Sequence, residues 1–187
     1  VESLVRYGKP YHFGLEAGSK PELMIALATL EPIATDNSDT PQSLLICNGY
    51  KDREYIETAL LARRLGHRPI IVVEQVSEVT IAIEISRNLG IKPILGVRAK
   101  LSTQGMGRWG TSTGDRAKFG LTIPEMLAVV NQLKAADMLD CLQLLHFHIG
   151  SQISAISVLK EAMTEASQIY VQLAKLGANM QYIDVGG

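Results

Sequence analysis

The sequence predicts an α/β chain folded as an incomplete (β/α)8 barrel of the TIM type. About six βα units are present, and the first and last strands of the barrel are missing. Three observations point there. Apolar runs of strand length alternate with longer amphipathic segments along the whole chain. The strand-like runs are continuously apolar, as a parallel sheet covered on both faces requires. A full barrel of this kind needs about 250 residues, and this chain has 187. An open doubly wound sheet is the structural alternative.

The elements follow in order. YHFGLEA (11–17) reads as a short strand. SKPELMIALATL (19–30) is a helix, with Ser19 and Glu22 forming a capping box and Pro21 in the first turn. The polar stretch 34–41 is a surface loop. SLLICNGY (43–50) is a strand, and DREYIETALLARRLG (52–66) a helix stopped by Gly66. RPIIVVEQ (68–75) is a strand, SEVTIAIEISRNLG (77–90) a helix and KPILGVRAKL (92–101) a strand. A glycine-rich loop fills 102–117. TIPEMLAVVNQLKAA (122–136) is a helix started by Thr122 and Glu125. CLQLLHFHIGS (141–151) is a strand, 157–177 a helix stopped by Gly177, and MQYIDVGG (180–187) the last strand. This amounts to six strands separated by five helices, a repeated βα unit that implies a parallel sheet.

Composition narrows the function. Hydrophobic residues make up 47% of the chain and the formal net charge is −1. That is a globular composition, with no basic patch for nucleic acid and no attraction to an anionic membrane. Cys47 and Cys141 lie far apart in apolar contexts and read as buried, reduced thiols of a cytoplasmic protein. No apolar stretch is long enough to cross a bilayer. The chain opens at Val1 without a methionine and closes on YIDVGG, so it is expected to be a portion of a longer polypeptide.

In a parallel barrel the working residues sit at the C-terminal ends of the strands. Here those ends carry Glu16, Asn48, Glu74, Arg98, His146 with His148, and Asp184 followed by glycines. A packing scaffold has no need for polar groups at every end. His146 and His148 alternate on one strand and so share a face. Such a pair can hold zinc, which would make a metal-dependent barrel hydrolase, but a further ligand is required. His12 falls early in its strand, His67 sits beside a helix-stopping glycine, and no acidic cluster stands in for them. The other reading uses Gly150, Ser151, Gly186 and Gly187, which offer bare backbone and a hydroxyl at two adjacent strand ends. That is how barrels hold phosphate. A flat imidazole at His148 beside them suits a planar phosphorylated cofactor, with His146 one pleat deeper as packed support. GMGRWG (105–110) matches a dinucleotide fingerprint only in letters, because no helix opens from it. It reads as an active-site loop with Trp109 at its centre, and Arg116 and Lys118 follow near the cavity mouth.

The motifs FGLEAGSKPEL, CNGYKD, GVRAKL, GDRAKFGL, HFHIGSQI and DVGG occur together and in order. As a set they resemble the pyridoxal-phosphate-dependent decarboxylases of the alanine-racemase-like barrel group, arginine decarboxylases among them, and the resemblance spans residues 1–187 as one partial cofactor-binding barrel domain. It implies that His148 stacks on the cofactor ring and that Ser151, Gly186 and Gly187 serve its phosphate. It further implies that Glu16 lies near the cofactor's reactive carbon, that Arg98 and Lys118 surround the ring's substituents, and that Asp184, Val185, Gly186 and Gly187 contribute to substrate binding. The implied activity is decarboxylation of arginine to agmatine for polyamine and spermidine synthesis, by a cytoplasmic homo-oligomer, with Mg2+ associated. The family's cofactor-bonding lysine and its catalytic cysteine match no residue here, so the chain alone is expected to be inactive. Decarboxylases of ornithine, lysine or diaminopimelate, and a non-catalytic cofactor-binding protein, share the same features.

Overall fold

The computed structural model describes residues 1–32, 43–102, 119–150, 153 and 155–186. The chain forms two compact units, Val1–Val72 with Ile81–Ile94, and Val73–Thr80 with Leu95–Gly187.

The first unit begins with helix α1 (Glu2–Gly8) and a 3-10 turn over Lys9–Tyr11. Strand β1 (Leu15–Ala17) leads into α2 (Lys20–Thr29), β2 (Leu45–Cys47) into α3 (Arg53–Arg64), and β3 (Pro69–Val73) into α4 (Val76–Leu89), of which Val73 and the first turn of α4 up to Thr80 belong to the second unit. β1 pairs with β2, and β2 with β3, both in parallel. Every residue of β3 is buried, as a β-branched run covered on both faces should be. Ser19 caps α2 by accepting from the Glu22 N–H, while the Glu22 carboxylate reaches back to the Gly18 N–H at 2.9 Å. Asp52 caps α3 through the Tyr55 N–H at 2.9 Å. α3 then buries Tyr55, Ile56, Ala59 and Leu60 along one stripe of helical spacing.

The second unit holds β4 (Leu95–Arg98), α5 (Ile123–Ala135), β5 (Leu142–His148), α6 (Ile156–Lys175) and β6 (Tyr182–Gly186). β4 pairs with β5, and β5 with β6, again in parallel and in chain order. Met126, Val129, Val130 and Leu133 of α5, with Ala162, Ala166 and Leu173 of α6, are buried at helical spacing. Thr122 starts α5: its N–H and hydroxyl both donate to Glu125 Oε2, at 2.7 and 2.8 Å.

The α/β class and the six parallel strands agree with the sequence reading. Two details differ. Residues 2–8 form a helix that the sequence reading left unassigned, because none of its side chains is buried and it shows no apolar stripe. Residues 11–14 are not strand. Pro10 favours a 3-10 turn, and His12 closes it in the left-handed region at φ 56°. His12 is thus a turn residue, and β1 begins at Leu15. The strands are shorter than expected: Leu45–Cys47, Pro69–Val73, Leu95–Arg98, Leu142–His148 and Tyr182–Gly186. Cys47 and Cys141 are buried free thiols, as expected. Among the described residues no helix is long and apolar enough to cross a membrane.

Candidate functional site

The polar strand ends pair with one another inside each unit. In the first unit, Glu16 projects from the middle of β1, and Asn48 follows the end of β2. Asn48 Nδ2 donates to Glu16 Oε1 at 2.5 Å. Asn48 is 4% exposed while Glu16 is exposed, so the bond joins a buried amide to a carboxylate at the surface. The turn that presents Asn48 is tightly built. The Asn48 N–H and the Tyr55 hydroxyl both donate to the Ala17 carbonyl, at 2.9 and 2.7 Å. Gly49 has φ +75°, and a Cβ there would overlap the Gly18 carbonyl oxygen. The buried Lys51 ammonium donates to the Gly49 carbonyl. Burial pushes the Cys47 thiol up to about 12, so Cys47 is no nucleophile near neutral pH.

In the second unit, the register places Arg98 of β4, His146 of β5 and Asp184 of β6 side by side. Residues paired across parallel strands face the same way, so these three side chains form one row. Arg98 Nη1 lies 3.1 Å from Glu74 Oε1, and the Glu74 side chain is fully buried. The Arg98 guanidinium also lies over the Phe119 ring, 5.5 Å from its centroid. Arg98 is therefore a fixed cation, held by a carboxylate on one side and an aromatic face on the other.

His146 Nδ1 stands 2.8 Å from Asp184 Oδ2. The separation is that of a hydrogen bond, but the ring N–H does not point straight at the oxygen, and neither atom meets another hydrogen-bonding partner. One pleat further along, His148 is exposed and is paired in register with Gly186. The Gly150 N–H donates to His148 Nδ1 at 3.1 Å. In the neutral ring that leaves the proton on Nε2. Gly186 lies flush against both imidazoles: a Cβ there would stand 2.9 Å from His148 Cδ2 and 3.2 Å from His146 Cε1. The result is an exposed aromatic ring bordered by bare backbone. These features fit a flat heteroaromatic group laid on His148, with its anionic end toward the glycine ends of β5 and β6.

The structure thus brings Arg98, His146, His148, Asp184 and Gly186 together. Glu16 belongs to the first unit. Val185 is in register with Phe147 and so faces away from the histidines. Ser151, Gly187 and Lys118 lie outside the described residues, as does nearly all of the loop with GMGRWG, Trp109 and Arg116. The sequence reading placed Asn48 and Glu74 at strand ends without giving them roles; their partners, Glu16 and Arg98, become visible only through register. Among the described residues no three His, Cys, Asp or Glu side chains converge as a metal site would need.

Comparison with known proteins identifies the family and the fold. Residues 1–187 match the family described as pyridoxal-dependent decarboxylase, pyridoxal binding domain. The chain is 84% identical over its full length to biosynthetic arginine decarboxylase 1 of Synechocystis sp., covering 27% of that protein. It is 72% identical to the biosynthetic arginine decarboxylase of Nostoc sp., covering all of this chain and 26% of the relative. The crystal structure of the biosynthetic arginine decarboxylase from Campylobacter jejuni superposes with a TM-score of 0.82 at 36% identity, over 97% of this chain and 27% of that one. The chain therefore spans about a quarter of the length of these relatives, and its fold is an incomplete α/β barrel. It belongs to the pyridoxal-dependent decarboxylase family, as part of the pyridoxal binding domain.

Proposed function

We propose that this chain is the cofactor-holding part of an enzyme that decarboxylates L-arginine to agmatine with pyridoxal phosphate. The observation that carries the reading is the 84% identity across the whole chain to a biosynthetic arginine decarboxylase. The wider setting proposed is polyamine synthesis leading to putrescine and spermidine, in a cytoplasmic homo-oligomer.

Pyridoxal phosphate, when bound, supplies the electron sink for the pair left as carbon dioxide departs. The chain's own residues supply binding and orientation. His148 offers its ring face, and the Gly150 N–H on Nδ1 sets the plane of that ring. The backbone at Gly186 and Gly187, with Ser151, anchors the phosphate. A fixed pivot lets the scissile bond line up with the ring's π system. Arg98, held by Glu74, and Lys118 place positive charge around the ring. Glu16, fixed by Asn48, places a carboxylate near the reacting centre. Within the segment of Asp184, Val185, Gly186 and Gly187, the two glycines are the part proposed to meet substrate and cofactor.

The test is decarboxylation by the full-length protein loaded with pyridoxal phosphate. Agmatine and carbon dioxide in equal amounts from L-arginine support the reading. Turnover of ornithine, lysine or diaminopimelate with none of arginine would replace it with a sister activity.

A further inference from the structure

We propose that Asp184 is a positioning residue for the cofactor platform, acting through His146, and does not touch the substrate. This rests on the reading of His148 and Gly186 as that platform. Three observations carry it.

First, Asp184 is engaged with the strand beside it. His146 and Asp184 are register partners on adjacent strands, and Nδ1 and Oδ2 stand 2.8 Å apart. Both atoms are shut away from solvent and have no hydrogen-bonding partner elsewhere. The contact sets the carboxylate against the edge of the imidazole and so limits how that ring can turn, much as a carboxylate orients a metal-bound histidine from behind.

Second, His146 is buried, at 3% exposure. It cannot offer a face to a bound ring, so its contribution is made through what it supports.

Third, what it supports is the platform. The Gly186 backbone borders both imidazoles, since a Cβ added there would stand 3.2 Å from His146 Cε1 and 2.9 Å from His148 Cδ2. A shift of the His146 ring would move the backbone of β6 at Gly186, and with it the edge of the site beside His148. The chain of contact runs from Asp184 to His146, then to Gly186 and His148.

The experiment uses the full-length enzyme and the variants Asp184→Asn, Asp184→Glu, His146→Gln and the Asp184→Asn/His146→Gln double. The readouts are the dissociation constant of pyridoxal phosphate, from titration of the apoenzyme by cofactor absorbance, and kcat and KM for arginine. Positioning predicts that each single variant weakens cofactor binding by about tenfold and lowers kcat, with KM for arginine nearly unchanged. The double variant should be no weaker than the worse single, because both act through one contact. Asp184→Glu keeps the charge but moves the oxygen, so it should resemble Asp184→Asn. If Asp184→Asn does not fold, Asp184→Glu and His146→Gln decide the matter by the same two readouts. A raised KM for arginine at unchanged cofactor affinity in Asp184→Asn overturns the proposal and makes Asp184 a substrate contact. So does full additivity in the double variant. A wild-type enzyme that binds pyridoxal phosphate but ignores arginine refutes only the proposed substrate, and the affinity readout still tests Asp184. A wild-type enzyme that does not bind pyridoxal phosphate overturns both readings.

Discussion

Arg98 Nη1 and Glu74 Oε1 form an ion pair at 3.1 Å in which the Glu74 side chain is fully buried and Arg98 is 20% exposed. Removing one partner of such a pair leaves the other charge uncompensated in a low dielectric. Glu74→Ala is expected to destabilise the protein by about 3 kcal/mol. The exposed Arg53–Glu84 pair is a control: its two bonds are 3.0 and 2.8 Å, both side chains are about half exposed, and Glu84→Ala should cost less than about 1 kcal/mol. Urea unfolding of both variants checks the contrast, and equal losses would contradict it.

Gly49 is held at φ +75°, where an added Cβ would overlap the Gly18 carbonyl oxygen. Gly49→Ala brings both backbone strain and an overlap with backbone that cannot move aside. A loss of about 3 kcal/mol in unfolding free energy is expected. Gly90 also has a positive φ, of 63°, but nothing stands within 4 Å of a Cβ there. Gly90→Ala should therefore cost only the conformational strain, about 1 kcal/mol.

Gly186→Ala tests the platform without removing a polar group. The new methyl would press on the His148 and His146 rings. Cofactor affinity is expected to fall about tenfold, while the melting temperature changes little because His148, the nearer of the two rings, is exposed. Unchanged affinity would mean that a bound ring does not rest at this edge.

Acid stability has a defined direction. The Lys20 ammonium, followed by the Tyr55 N–H, holds the Asp52 carboxyl below its ordinary 3.8. The Thr122 N–H, followed by the Thr122 hydroxyl, holds Glu125 below 4.5. Each group has a lower pKa folded than unfolded. Each therefore adds stability above its ordinary value, and that contribution is lost as pH falls through the lower folded value. Urea midpoints should be insensitive to these two groups above about pH 5.5 and should fall below about pH 4.5. Asp52→Asn combined with Glu125→Gln should flatten that decline. An unchanged acid slope would contradict the assignment.

How much was legible in the sequence follows from which interactions are local. Caps such as Ser19 with Glu22 and Thr122 with Glu125 lie three residues apart, so their letters are read directly. The β3 run Pro69–Val73 is apolar throughout and announces a buried parallel strand. The site's pairs are different. Asn48 with Glu16, Arg98 with Glu74 and Asp184 with His146 are separated by 24 to 38 residues and are joined only by strand register. The letters placed all six at strand ends but could not say which carboxylate faces which partner. Helix α1 was missed for the opposite reason, since it buries nothing and so leaves no periodic signal. The sequence already separates His148 as platform from His146, one pleat deeper, as packed support. The structure adds that His146 is 3% exposed beside Asp184 while His148 is open at the strand end.

The central claim is that His148 and Gly186 form the seat of pyridoxal phosphate in an arginine decarboxylase. The most direct measurement compares the full-length protein with its His148→Ala variant, following cofactor affinity and release of carbon dioxide from carboxyl-labelled L-arginine. The account predicts arginine turnover by the wild type, and loss of about tenfold or more in both affinity and kcat in the variant. Wild-type affinity and turnover in His148→Ala would contradict it.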